Sequence, residues 1–223
     1  MSVTGKERCS GIISFLFGIP LIFVGLGALI KVARSKYETE PVEQTKGKGE
    51  NSIQRFLMPP HDTAAQLGVQ PGMIVMEIGP GNGTYALAAA QRLGNTGRLV
   101  AVDPQYEVTE NLRKKIRQEG IQNMEVRQAN INQLPYDGSS FDMVYMISMI
   151  GKTANPVRLM QECRRVLSKD GKLVFREIIL DPNYPSARSL IKLAKKAGFR
   201  LKKHSGNFLS YTLIFEKDPQ VIQ

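Results

Sequence analysis

The chain has 223 residues, 42% of them hydrophobic and 22% charged, and a formal net charge of +10. That length holds one domain of ordinary size plus an appendage, and the composition excludes a disordered or fibrous chain. Two cysteines, Cys9 and Cys163, and two histidines, His61 and His204, are too few for a disulfide framework or a zinc site built from Cys and His.

The excess of Lys and Arg predicts a surface that attracts anions: phospholipid headgroups, nucleic acid or an anionic substrate. Near the N-terminus, Gly11 to Ile30 forms an uncharged run, GIISFLFGIPLIFVGLGALI. It is long enough for a helix to cross the ~30 Å hydrocarbon layer. Pro20 and the glycines would weaken a helix in water, but a bilayer offers the backbone no other partner. The apolar run exceeds the usual signal-peptide length, and no convincing cleavage site follows it. Lys6 and Arg8 precede the run and Lys31, Arg34 and Lys36 follow it, a bias that places the C-terminal side in the cytoplasm. The expected organisation is a single-pass membrane anchor over residues 1–36, a polar linker over 37–55 and a catalytic domain over 56–223.

Within that domain, short apolar runs alternate with helical patterns, the signature of a parallel sheet covered by helices on both faces. Strands are predicted at Ile74–Ile78, Arg98–Val102, Met124–Gln128, Asp142–Met146 and Lys172–Glu177. Helices are predicted at Thr84–Leu93, Glu107–Glu119, Pro156–Leu167 and Pro185–Ala197. Two further strand-like runs, Phe199–Lys203 and Leu209–Glu216, read as a hairpin turning through His204-Ser205-Gly206-Asn207. The expected fold is α/β: a doubly wound, mostly parallel, seven-stranded sheet ending in an antiparallel hairpin, after one transmembrane helix.

The most informative stretch is MEIGPGNGTY, Met76 to Tyr85, where a buried strand enters a glycine-rich turn and then a helix. Gly79, Gly81 and Gly83 let the backbone approach a ligand, and the helix N-terminus offers free N–H groups. Glu77 precedes the glycines, and Asp103 ends the next strand in LVAVDP, where a carboxylate can accept both hydroxyls of a ribose. Dinucleotides and S-adenosylmethionine share that requirement. Thr84 stands where the dinucleotide fingerprint prefers a small residue, and the terminal hairpin is also unlike a dinucleotide domain.

Farther along, LPYDGSSFDMVYM from Leu134 to Met146 and RRVLSKDGKLVFRE from Arg164 to Glu177 resemble the class I, Rossmann-like S-adenosylmethionine-dependent methyltransferases, in particular the type 11 group. The resemblance covers roughly residues 56–217. It implies S-adenosylmethionine as cofactor, with Glu77, Gly79, Gly81 and Gly83 around its methionine portion and Asp103 on the ribose. The position that usually supplies an acid to the adenine amino group is Asn130, which can offer a carbonyl oxygen, with Ile131 packing on the ring.

Methyl transfer is an in-line displacement that requires alignment and exclusion of water, with a base optional. His61, in RFLMPPHD, is either a group on a lid over the site or a surface imidazole. Tyr145, Ser148 and Lys152 follow or end the fourth strand, at the edge where ligands of such sheets collect, and are candidates for lining the acceptor pocket; Tyr145 and His61 are also the candidate catalytic groups. YMISMIGKT lacks the Asn/Asp-Pro-Pro-Tyr type of motif of nucleic-acid amino-methyltransferases, which disfavours that chemistry.

Between Pro185 and Lys203 lie seven Lys or Arg residues and no acid. Arg188, Lys192, Lys195 and Lys196 share one side of the predicted helix, a face that is either simply solvated or set against anionic lipid. No aromatic platform interleaves them, so nucleic acid is the weaker partner. The acceptor expected is a small lipophilic or membrane-associated molecule. Protein or RNA methylation and a catalytically silent scaffold are the alternatives.

Overall fold

The computed structural model describes residues 52–221, all within one compact unit. The expected transmembrane helix and most of the expected linker lie outside the described residues. Among the described residues no helix is long and apolar enough to cross a membrane.

Two short helices come first, α1 (Ser52–Leu57) and α2 (Pro60–Leu67). The alternating part follows: β1 (Ile74–Ile78), α3 (Thr84–Leu93), β2 (Arg98–Asp103), α4 (Tyr106–Gln118), β3 (Met124–Gln128) and β4 (Phe141–Ile147). A single 3₁₀ turn at Ile150–Lys152 leads to α5 (Pro156–Val166), β5 (Leu167–Ile178), α6 (Ala187–Lys196), β6 (Phe199–Gly206) and β7 (Ser210–Lys217).

The seven strands form one sheet in the order β3-β2-β1-β4-β5-β7-β6. β1 to β5 pair in parallel, while β7 is antiparallel to both β5 and β6. The α/β sheet with its closing hairpin is therefore as the sequence predicts.

Both faces of the sheet's centre are covered, which is why β1, β2 and β4 are nearly continuous apolar runs instead of alternating ones. On one face Met76, Ile78, Val144, Met146 and Phe175 pack with Leu159 and Cys163 of α5 and Leu190 of α6. On the other, Val75, Leu99, Tyr145 and Val174 pack with Leu67 of α2, Ala86 of α3 and Leu112 of α4. Cys163 is fully buried, and burial pushes its thiol well above the ordinary range, so it serves as a small core residue.

Most boundaries fall within two residues of the sequence reading, the helix α2 was not predicted, and three further differences have a visible cause. β6 runs through His204 to Gly206, so the hairpin turns at Asn207–Leu209. The cause is local: Gly206 adopts φ 98°, and the Asn207 side-chain oxygen accepts the N–H groups of Leu209 and Ser210. β5 starts at Leu167, five residues early, because Leu167 pairs with Phe141 before the register shifts at Met143. Finally, α1 occupies part of the stretch read as linker. At six residues it is too short to give a helical periodicity in sequence.

Candidate cofactor and acceptor site

β1 and β4 are sheet neighbours, while the connections from β1 run outward to β2 and β3. The strand order therefore reverses between β1 and β4, and ligands of such sheets bind outside the carboxyl ends of the strands at that point. The glycine turn emerges there. The Gly79 N–H donates to the Val102 carbonyl (2.9 Å), binding the turn to the end of β2.

Gly79 and Gly81 both hold left-handed backbone, φ 74° and 54°. Their surroundings differ. A methyl on Gly79 would fall 2.5 Å from Met149 Cγ, so that glycine permits the segment after β4 to close against the loop. A methyl on Gly81 would meet nothing within 4 Å. Gly81 thus borders open space, which leaves room for a ligand to approach the backbone there. Asn82 accepts from the N–H and hydroxyl of Thr84, fixing the entry to α3.

Asp103 lies at the end of β2, one sheet position away, with only 5% of its surface exposed. Its Oδ1 accepts the Gln105 N–H at 2.8 Å, and among the described hydrogen bonds Oδ2 has none. Burial raises the carboxyl above its usual range, with the Gln105 amide pulling the other way. A carboxylate drawn out of water without a basic partner suits a ligand that brings its own donors, as ribose hydroxyls do. The open backbone at Gly81 and the Asp103 carboxylate therefore fit S-adenosylmethionine.

Glu77 is buried within β1, and the Tyr145 hydroxyl donates to its Oε2 at 2.8 Å across the β1–β4 pair. Tyr145 is itself completely buried, and both desolvation and the Glu77 charge hold its phenol well above the usual value. It keeps its proton and orients Glu77, a positioning role instead of the pocket-lining or catalytic role raised from sequence.

Other expected residues fall as follows. The Asn130 side-chain oxygen accepts the Asn132 N–H at 2.9 Å, so the oxygen expected to meet the adenine is already bonded. What Asn130 presents is chiefly its NH₂ group. Ile131 is buried in the core cluster on one face of the sheet, with a small exposed remainder. His61 sits on the exposed side of α2. Ser148 is a better match: it lies just past β4, is buried at φ 48°, and its hydroxyl has no partner. A strained, unpartnered polar residue at the carboxyl edge is where binding function concentrates. Lys152 is held by Asp181 at 2.9 Å.

Two residues beyond the sequence reading stand out at the end of β5. The half-buried Arg176 donates from Nη1 to Thr212 Oγ1 (2.9 Å), while its Nε has no partner. Next to it Glu177 is 1% exposed, and its Oε1 lacks a partner. Burial first and Asp181 second push that carboxyl up to about 8, against the opposing charge of Lys152. The available signal was an Arg-Glu pair interrupting the apolar strand VFREII at its carboxyl end. An open cavity lined by Tyr136, Arg158, Glu162 and Arg165 includes no residue of the glycine turn or of β2. Arg165 there is bonded to Glu162 and to the Leu134 and Tyr136 carbonyls, so this cavity is not the site.

Residues 76–175 match the family described as "Methyltransferase domain". A ubiquinone/menaquinone biosynthesis C-methyltransferase of Hydrogenovibrio crunogenus is 31% identical over 49% of this chain and 44% of its own length. A demethylmenaquinone methyltransferase of Lactobacillus johnsonii is 28% identical over 61% of this chain and 54% of its own. The chain thus spans about half the length of these curated relatives. Among solved structures, a methyltransferase of Aquifex aeolicus superposes with TM-score 0.68 at 19% identity, over 74% of this chain and 93% of that one. The [4+2]-cyclase SpnF superposes with TM-score 0.61 at 20% identity, over 73% and 63%. A cyclase on this fold shows that function has to be argued from the site. The family match over residues 76–175, the glycine turn and Asp103 agree: this part of the chain is similar to the S-adenosylmethionine-dependent methyltransferases, and S-adenosylmethionine is the cofactor that similarity implies.

Proposed function

We propose that this protein transfers a methyl group from S-adenosylmethionine to a small lipophilic acceptor, such as a quinone precursor, while tethered to a membrane by residues 11–30 with its catalytic domain on the cytoplasmic side. The observation that carries the cofactor half is the buried Asp103 carboxylate, which has no basic partner among the described residues, beside the glycine turn with open space at Gly81. The acceptor half is supported by the quinone methyltransferases among the relatives and by the uncharged run at Gly11 to Ile30.

When bound, the cofactor supplies an electrophilic methyl group on a sulfonium. Asp103 would hold the ribose by two charge-assisted hydrogen bonds, and the backbone around Gly81 would pass beneath the methionine portion. Tyr145 keeps Glu77 fixed below the turn. Met149, closed against Gly79, and Ile150, buried in the core, make the segment after β4 apolar, which excludes water from an acceptor placed there. The Ser148 hydroxyl is the polar group available to orient that acceptor.

The test is transfer of tritium from methyl-labelled S-adenosylmethionine into fractionated membranes containing the full chain. Label is expected in the organic extract. Label confined to protein or RNA would contradict the lipophilic acceptor.

A further inference from the structure

Large apolar side chains are unevenly exposed on this domain. Nine are exposed among the described residues: Ile74, Leu201 and Val221, and six others that lie at the carboxyl edge of the sheet. Those six are Phe56, Leu57, Tyr106, Leu180, Phe208 and Leu209. Tyr106 follows directly on β2. Phe56 and Leu57 immediately precede Met58, whose carbonyl accepts the hydroxyl of Tyr85 in the first turn of α3. Leu180 lies just past β5, and the Ile179 N–H donates to the Leu209 carbonyl at 2.8 Å. The Phe208 carbonyl accepts the Tyr184 hydroxyl at 2.7 Å.

Exposed apolar residues scattered singly need no explanation, whereas their gathering on the edge that carries the site marks that edge as a candidate interaction surface. Phe56 is 82% exposed and Phe208 65%, values that leave most of each ring in water unless something covers it. Arg55 and Arg188, both exposed, lie next to this rim, the first beside Phe56 and the second in the first turn of α6 after Tyr184. An apolar rim flanked by cations matches the interface of a bilayer containing anionic lipid. The chain outside the described residues points the same way: it ends at α1, on this rim, and it contains the apolar run Gly11 to Ile30.

We infer that the carboxyl edge, through Phe56, Leu57, Leu180, Phe208 and Leu209, docks onto the surface of an anionic bilayer, so that the acceptor site opens toward lipid. This deepens the proposed lipophilic acceptor and rests on it, but its test reads the position of a fluorophore and not methyl transfer. The two ideas therefore fail separately.

The chain contains no tryptophan. Phe208→Trp therefore adds a single fluorophore on the rim, and Ile74→Trp adds one at the opposite edge as a control. Each full-length variant is reconstituted into vesicles of phosphatidylcholine and phosphatidylglycerol, with or without brominated acyl chains. The expected result is quenching of Trp at 208 by the bromines several-fold stronger than at 74, with reversed sensitivity to aqueous acrylamide. Equal quenching at the two positions would overturn the docking surface. So would an emission shift at 208 that follows protein concentration without vesicles, which would mark a second copy on this face. Leu209→Trp provides the same reading if the first variant does not fold.

Discussion

Glu177→Gln gains on the wild-type protein as pH rises: between about pH 5 and pH 9 the stability difference moves in the variant's favour by on the order of 4 kcal/mol. The Glu177 carboxyl is lifted from 4.5 to about 8 in the folded protein, mainly by burial. Between those values the unfolded chain releases a proton that the folded chain keeps. Folding is then opposed by rising pH, and the stability present below about 4.5 is lost progressively until about 8. Glutamine has the same shape and cannot ionise, so its stability lacks this slope. Any fixed cost of placing its N–H groups cancels when the two pH values are compared. The groups facing Glu177 are Asp181 and Lys152, themselves paired, and Tyr211 across the β5–β7 register. Urea unfolding of both proteins across this range is the measurement, and parallel curves would contradict the reading.

Asp103→Ala leaves the fold intact and weakens cofactor binding by at least about tenfold, since each hydrogen bond to a charged group is worth about 1.5–3 kcal/mol and 1.4 kcal/mol is tenfold. The fold survives because the carboxylate's one described hydrogen bond within the protein is to the Gln105 N–H, and removing it also removes the cost of keeping a carboxylate from water. Burial has moved this carboxyl upward, so protonation removes an acceptor at a higher pH than an ordinary aspartate would. Wild-type binding should accordingly weaken as pH falls, and the alanine variant should lack that dependence. Equilibrium titration of both proteins at two pH values reads the affinity and its slope.

Much of this was legible in the sequence, for identifiable reasons. The strands β1, β2 and β4 are short and almost entirely buried, so apolar runs bounded by turns marked them to within a residue or two, and the Met-Glu-Val alternation marked the edge strand β3. Gly79, Gly81 and Asp103 were legible because left-handed backbone and a carboxylate ending a strand are requirements of residue type at fixed spacing. Contacts made across the sheet were not. Nothing in the spacing of Glu77 and Tyr145, 68 residues apart, says that they share a hydrogen bond. Nor does sequence show that Asn130 spends its oxygen on Asn132, or that Glu177 Oε1 is buried without a donor among the described residues while Arg176, its neighbour, bonds to Thr212. The apolar rim was invisible for the same reason, since its members are scattered from Phe56 to Leu209 and only the topology gathers them.

The central claim is that this site holds S-adenosylmethionine, and the most direct test is calorimetric titration of the full-length chain with the cofactor and with its demethylated product. Saturable binding of both at one site per chain is expected. A folded protein that binds neither would contradict it.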